Sequence, residues 1–250
     1  MTEVNILPDE RIDELQLAGM HILQKKRGFR FGMDAVLLAD FVGIDAKASV
    51  VDFGTGTGIL PILLYGRGKG RQFDAFELQA DMADMAARSM QMNGLSDTIR
   101  VHHADVIDAV KLIAPGTIDA VICNPPYGIS GKTIRNPDDT LCVARHQGEE
   151  GLTAWFRMAH RLLKGKGKFA MVYPAPQMLK AMEEMEAAHL APKRFRLIYP
   201  RADKPANLVL IEALKDARPM LHPEPPLIVY EQDNTMTPEL RRIYHLEGSA

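Results

Sequence analysis

Ser49-Val50-Val51-Asp52-Phe53-Gly54-Thr55-Gly56-Thr57-Gly58-Ile59-Leu60 is the stretch whose reading decides the fold of this 250-residue chain. A β-branched run enters a turn with glycine at every other position, then passes into an apolar helix from Ile59 to Tyr65. Glycine permits the tight turn and lets backbone approach a ligand closely. The spacing is G-x-G-x-G, not the G-x-G-x-x-G that sets a pyrophosphate on a helix N-terminus. Asp52 precedes the first glycine and the turn contains no lysine, so a P-loop is excluded and a cationic cofactor suits the site better than a triphosphate. Asp52, Gly54, Gly56 and Gly58 are therefore candidate cofactor residues.

Working outward, Arg71 to Phe76 reads as the next strand and delivers Glu77 at its end, placed to accept hydrogen bonds from both hydroxyls of a ribose. The competing reading of Glu77 is a surface carboxylate capping the helix Gln79 to Met92, which Asn93-Gly94 ends. Ile99 to His103 is a third strand, followed by Asp105, whose carboxylate can accept an exocyclic N–H of adenine. The paired histidines His102 and His103 have no matching cysteine or carboxylate set, so they read as strand residues and no metal is assigned. Ile118 to Cys123 is the fourth strand. Strands alternating with helices predict a doubly wound parallel sheet. If the first and fourth strands are neighbours, the site lies at the topological switch point.

The fourth strand runs into Asn124-Pro125-Pro126-Tyr127. An aromatic or amide NH2 is a poor nucleophile while its lone pair is conjugated. The Asn124 side-chain oxygen and the Pro125 carbonyl can each accept one of its hydrogens, turning the lone pair toward an electrophile. Pro125 and Pro126 hold their carbonyls in fixed directions and carry no competing N–H, and Tyr127 offers a face for stacking a base. The alternative is a strand ending in a Pro-Pro turn, with Tyr127 as packing. Gly128 to Gly148 has no clear periodicity, and its Lys132, Arg135, Arg145 and His146 make it a candidate substrate-gripping loop.

Upstream, Pro8 to Gln24 suggests a short helix and then a strand. Lys25 to Gly32 reads as a hairpin or loop, with Asp34 as N-cap of a buried helix through Val42. Phe29 and Phe31 either pack on that helix or form a lid over the cofactor, with the basic residues turned toward a phosphate backbone. Downstream come a helix from Leu152 to Leu163, a strand from Lys168 to Tyr173 and a helix from Gln177 to His189. Strands from Arg194 to Tyr199 and Asn207 to Ala213 then make a hairpin-like antiparallel edge. Between Lys193 and Lys204 five Lys/Arg face one Asp, a local balance of +4 that fits a solvated edge or a phosphate contact. Thr237-Pro238 looks like a helix N-cap with proline at the first helical position.

Composition narrows the class. With 46% hydrophobic and 25% charged residues and a net charge of -2, the chain is an ordinary globular protein, not a wholly basic nucleic-acid binder. Its two cysteines, Cys123 and Cys142, make neither a disulfide framework nor a metal site. No signal peptide or membrane-spanning run is seen, and a cytoplasmic, reducing setting fits.

These stretches together resemble the class I S-adenosylmethionine-dependent methyltransferases of the N-P-P-Y type, in particular the bacterial tRNA1(Val) adenine-N6 methyltransferases, which modify adenine 37 beside the anticodon. The more specific marks are Ile22-Leu23-Gln24, Phe29-Arg30-Phe31-Gly32-Met33-Asp34-Ala35, Ala144-Arg145-His146, Ala206-Asn207-Leu208 and Pro226-Leu227-Ile228-Val229-Tyr230. The resemblance implies a Rossmann-like α/β fold whose doubly wound, seven-stranded, mostly parallel sheet has an antiparallel edge strand. It implies a methyltransferase domain over 46–215, an N-terminal extension or lid over 1–45 and a C-terminal extension over 216–250. S-adenosyl-L-methionine would be held by Phe31, Asp52, Gly54, Gly56, Gly58, Glu77, Asp105 and Asn124. The target base would sit at Asn124 to Tyr127, and the partner would be a tRNA anticodon stem-loop, with no membrane and no metal. The rivals are a methyltransferase acting on rRNA, DNA or a protein glutamine, a non-catalytic sensor of the same cofactor, and a NAD-dependent dehydrogenase. The glutamine enzymes usually carry an N-terminal helical domain, for which about 45 residues leave little room. An intact acceptor pair for an amine argues against a mere sensor, and the glycine spacing argues against the dehydrogenase.

Overall fold

A computed structural model describes residues 2–27, 32–126 and 151–246. Its centre is a sheet of seven long strands: β3 (Ser49–Phe53), β4 (Gln72–Glu77), β5 (Ile99–His103), β6 (Ile118–Cys123), β7 (Leu163–Pro174), β8 (Leu190–Tyr199) and β9 (Leu208–Lys215). Their spatial order is β8-β9-β7-β6-β3-β4-β5, parallel except that β9 runs against both β7 and β8. Two short strands, β10 (His222–Pro223) and β11 (Leu227–Ile228), extend the β8 edge to nine strands, which the sequence reading did not include. The first and fourth strands of the βαβ series, β3 and β6, are neighbours, with Val51 opposite Val121 and Asp52 opposite Ile122. The chain order reverses there, so the sheet opens a crevice at the carboxyl ends of these two strands.

Alternation along each strand divides the core in two. Val50, Ala120, Ile122, Ala170 and Val172 face α1 (Met33–Phe41) and α2 (Ile59–Gly66), while Val51, Val121, Cys123, Phe169 and Met171 face α5 (Gly151–Leu162) and α6 (Met178–Ala187). Because both faces are covered, the strands read as continuous apolar runs in the sequence. The other described helices are α3 (Ala80–Met92), α4 (Ala109–Leu112) and α7 (Pro238–Ile243). Asn93 ends α3 with Gly94 at a φ of +69°, and the Thr237 hydroxyl accepts the Leu240 N–H at the start of α7, both as the sequence indicates.

Two expectations fail upstream of the sheet. The helix expected within Pro8 to Gln24 is instead an antiparallel pair, β1 (Glu10–Glu14) and β2 (His21–Lys25). Tertiary partners on α3 decide this: the Leu23 N–H bonds Ser89 Oγ at 3.0 Å, and Arg88 holds both oxygens of buried Glu10 at 2.7 Å. Glu10, one of the acidic residues that suggested a helix start, is thus a strand residue bound to α3, while Asp13 bonds Arg11 and Gln24 within the strand pair. The N-cap position of α1 is Gly32, and Asp34 lies in the first turn, where it has a different partner.

Candidate active site

Four carboxyl-terminal strand ends converge on one rim. β3 leads into Gly54 to Gly58, β4 ends in Glu77, β5 leads to Asp105 and β6 leads to Asn124. Gly54, Gly56 and Gly58 have φ of +70°, +58° and +88°, values that disfavour any side chain. A Cβ on Gly54 would lie 2.9 Å from the Trp155 ring, and one on Gly58 would run into Met90 of α3. The first glycine thus admits the aromatic ring from α5, and the third sets how closely α3 packs on the turn.

Glu77 fastens this turn. Its side-chain oxygens accept the Gly56 and Gln79 N–H groups, each at 2.8 Å, and the residue is only 7% exposed. Glu77 is thus a buried carboxylate bonded just ahead of α3, not the surface helix cap of the competing reading. The bond to Gly56 across the β3–β4 crevice was not legible in the sequence.

Asp52 is fully buried, and among the described residues neither of its oxygens nor the hydroxyls of Thr55 and Thr57 has a hydrogen-bond partner. Burial pushes its carboxyl up to about 7, opposed by the nearby Thr55 hydroxyl and reinforced by the Glu77 charge. Unsatisfied buried carboxylates are costly. A glycine turn of this shape, with a buried carboxyl and two threonine hydroxyls at its base, fits a ligand bearing positive charge and N–H or O–H donors. Asp105 bonds the Ile107 N–H at 3.1 Å and caps the 3-10 turn Val106–Asp108. It is placed on the same rim with one oxygen committed to that cap.

At the end of β6, Asn124 is half-buried, Pro125 buried and Pro126 exposed. The Asn124 side-chain NH2 donates to Asp34 Oδ2 at 3.2 Å. A carboxylate in its ionised form only accepts, so the partner's chemistry decides which way the amide is turned. The NH2 is thereby turned to α1, which makes the side-chain oxygen the Asn124 atom that can accept from a substrate. Sequence reasoning missed Asp34 as part of this site because 90 positions separate the pair and an aspartate before an apolar helix reads first as a cap. Phe31, Tyr127, Lys132, Arg135, Arg145 and His146 lie outside the described residues.

The basic run from Lys193 to Lys204 is largely neutralised. Arg194 pairs with Glu212 and Glu224, Arg196 pairs with Glu239, and Lys193 bonds the Arg218 carbonyl. These partners lie on β9 and in the tail, too distant in sequence to enter a local charge balance. Cys123 is buried with its thiol pushed up by burial, as an inert core residue. Among the described residues no helix is long and apolar enough to cross a membrane. No group of three metal-ligating side chains occurs among them either.

A doubly wound sheet with a glycine turn and an amide acceptor on one rim defines a Rossmann-like methyltransferase. The chain belongs to the methyltransferase small domain family, whose model matches residues 32–191. Its relatives include the tRNA1(Val) (adenine(37)-N6)-methyltransferase of Tolumonas auensis, 31% identical over 88% of this chain and 90% of that protein. The protein of the same name from Vibrio campbellii is 27% identical over 76% of this chain and 77% of its own length. Among solved structures, a protein from Agrobacterium tumefaciens described as a predicted O-methyltransferase superposes with a TM-score of 0.67. It shares 24% identity over 85% of this chain and 96% of that one. TYW2 of Pyrococcus horikoshii, solved with MeSAdo, gives 0.57 at 14% identity, covering 84% and 72%.

Proposed function

We propose that the protein transfers a methyl group from S-adenosylmethionine to the exocyclic N6 of an adenine in tRNA, adenine 37 of tRNA1(Val) being the target its relatives are named for. The observation that carries this reading is the Asp34–Asn124 hydrogen bond, which engages the amide NH2 and keeps its oxygen as the acceptor at the switch point beside the glycine turn. The turn from Gly54 to Gly58, with Asp52, Glu77 and Asp105, would hold the cofactor, and the unsatisfied Asp52 carboxylate is the feature that fits it best. When bound, this cofactor supplies an activated methyl group on a sulfonium that is its own leaving group.

The chain's part is alignment. Asn124 Oδ1 and the Pro125 carbonyl accept the two hydrogens of the adenine amine and draw its lone pair out of conjugation with the ring. Tyr127 stacks the base once it has left its neighbours, offsetting an unstacking cost of a few kcal/mol. Acceptors at nitrogen also stabilise the positive charge that develops there, and the amine proton then passes to solvent. Phe31 would cover the cofactor, and Lys132, Arg135, Arg145 and His146 would grip the RNA. In this reading residues 46–215 are the catalytic domain, and 1–45 and 216–250 are extensions of it that act in the cytoplasm on an anticodon stem-loop. The test is transfer of label from the methyl donor to transcripts of tRNA1(Val) carrying adenine or guanine at position 37. Label on the adenine transcript alone supports the assignment, and equal label on both would refute it.

A further inference from the structure

The carboxyl-terminal rim carries a second concavity, outside the site above. Pro200, Arg201 and Lys204, just past the end of β8, and Tyr230 and Asn234, past β11, line a cavity of about 480 Å³. The concavity is open to solvent. β8 runs parallel to β6 with β9 and β7 between them, so this cavity opens on the same side of the sheet as Asn124. Neighbouring strands are about 4.8 Å apart, which places it roughly 15–20 Å from the amide along the rim.

The lining differs from the rest of the basic segment. Arg194 and Arg196 are held by Glu212, Glu224 and Glu239, whereas among the described residues Arg201 bonds a neutral group, Asn234 Oδ1 at 2.5 Å. Its guanidinium has further N–H donors, and the Asn234 amide keeps its NH2 to donate. Lys204 meets Asp203 at 3.6 Å in a half-exposed pair, an arrangement that holds a cation only weakly. Tyr230 is fixed from behind: its N–H bonds the Pro200 carbonyl at 3.1 Å and its ring packs against the core. Two cations, a rigid aromatic face and an amide in one concavity offer contacts to a phosphate, a base plane and a base edge.

We propose that this cavity holds a nucleotide of the same RNA a few residues from the methylated adenine, with its phosphate on Arg201 and Lys204 and its base against Tyr230. The inference rests on the RNA-methyltransferase reading and deepens it by naming where the substrate is gripped. A nucleotide anchored there fixes the strand while the target base is splayed out at Asn124.

The test compares wild type with Arg201→Ala/Lys204→Ala and with Lys204→Ala alone, whose side chain is half exposed and leaves the fold intact. The KM for unmodified tRNA is expected to rise roughly tenfold in the double variant and a few-fold in the single one, with kcat and methyl-donor affinity unchanged. The plot of log affinity against log salt should become shallower by about 0.7 for each phosphate contact removed. Tyr230→Leu, which keeps an apolar contact to the core, is expected to raise the KM without altering the salt slope. Unchanged KM and salt slope in the double variant, with wild type active on tRNA, would overturn the proposal and leave the catalytic reading standing. A wild type that labels no tRNA would remove the reading on which it rests.

Discussion

Asp34→Ala isolates the contribution of amide orientation. Its hydrogen bond to Asn124 is 3.2 Å long and charge-assisted; such bonds contribute about 1.5–3 kcal/mol, and this length places it at the lower end. Without the carboxylate, the Asn124 amide can turn its NH2 toward the substrate amine, presenting a donor to a donor. A loss of about 1.5–2 kcal/mol in the methyl-transfer step corresponds to about a 10- to 30-fold lower rate. Asp34→Asn retains an oxygen that can accept from Asn124 but can present its own NH2 equally well, so about a threefold loss is expected. The assay is single-turnover methyl transfer at saturating tRNA and methyl donor, with donor affinity measured separately by calorimetry. Positioning predicts a fall in rate, cofactor affinity within about threefold of wild type and partial recovery by the conservative variant. A rate within twofold of wild type in Asp34→Ala, or a rate loss matched by lost cofactor affinity, would refute the reasoning.

Three further outcomes follow from the same geometry. Folding takes the Asp52 carboxyl from an ordinary value of 3.8 to about 7, so its contribution to stability is full below about pH 4 and is lost as pH rises through 7. Asp52→Asn should therefore raise the thermal midpoint of the cofactor-free protein at pH 8, by an amount equivalent to at most about 4 kcal/mol. It should flatten that pH profile and weaken cofactor binding at least tenfold. Gly58→Ala must adopt a φ of +88° and displace Met90, so urea denaturation should show a loss of about 2–4 kcal/mol. Arg88→Ala leaves the Glu10 carboxylate, 1% exposed as a side chain, without its guanidinium partner. A cost of about 2–4 kcal/mol should appear in denaturation, together with faster hydrogen exchange in β1 and β2 while β3 and β6 stay protected.

The parts of the fold legible in the sequence are those whose cause is local. Val50-Val51 running into three alternating glycines, and Ile118 to Cys123 ending in two prolines, declare strand ends through backbone restrictions that few other residues share. Thr237-Pro238 and Asn93-Gly94 mark helix ends for the same reason. Residues 8–24 misled because nothing local distinguishes a weakly patterned strand from a helix start. The choice there is made by Ser89 and Arg88, more than 60 positions away. Asp34 was assigned to the wrong task by the same blindness, since its partner Asn124 is reached only once β6 lies beside β3. Within the +4 run near β8, Arg194 and Arg196 are neutralised because their counter-ions Glu212, Glu224 and Glu239 come from later in the chain.

The central claim is that Asn124 presents an acceptor to an adenine amine. Its most direct test is incubation of unmodified tRNA with labelled S-adenosylmethionine and either wild type or Asn124→Ala, followed by nuclease digestion and identification of the labelled nucleoside. The account predicts N6-methyladenosine from wild type and at least a hundredfold less from Asn124→Ala, with cofactor affinity within tenfold. A different methylated nucleoside from wild type, or undiminished N6-methyladenosine from Asn124→Ala, would contradict it.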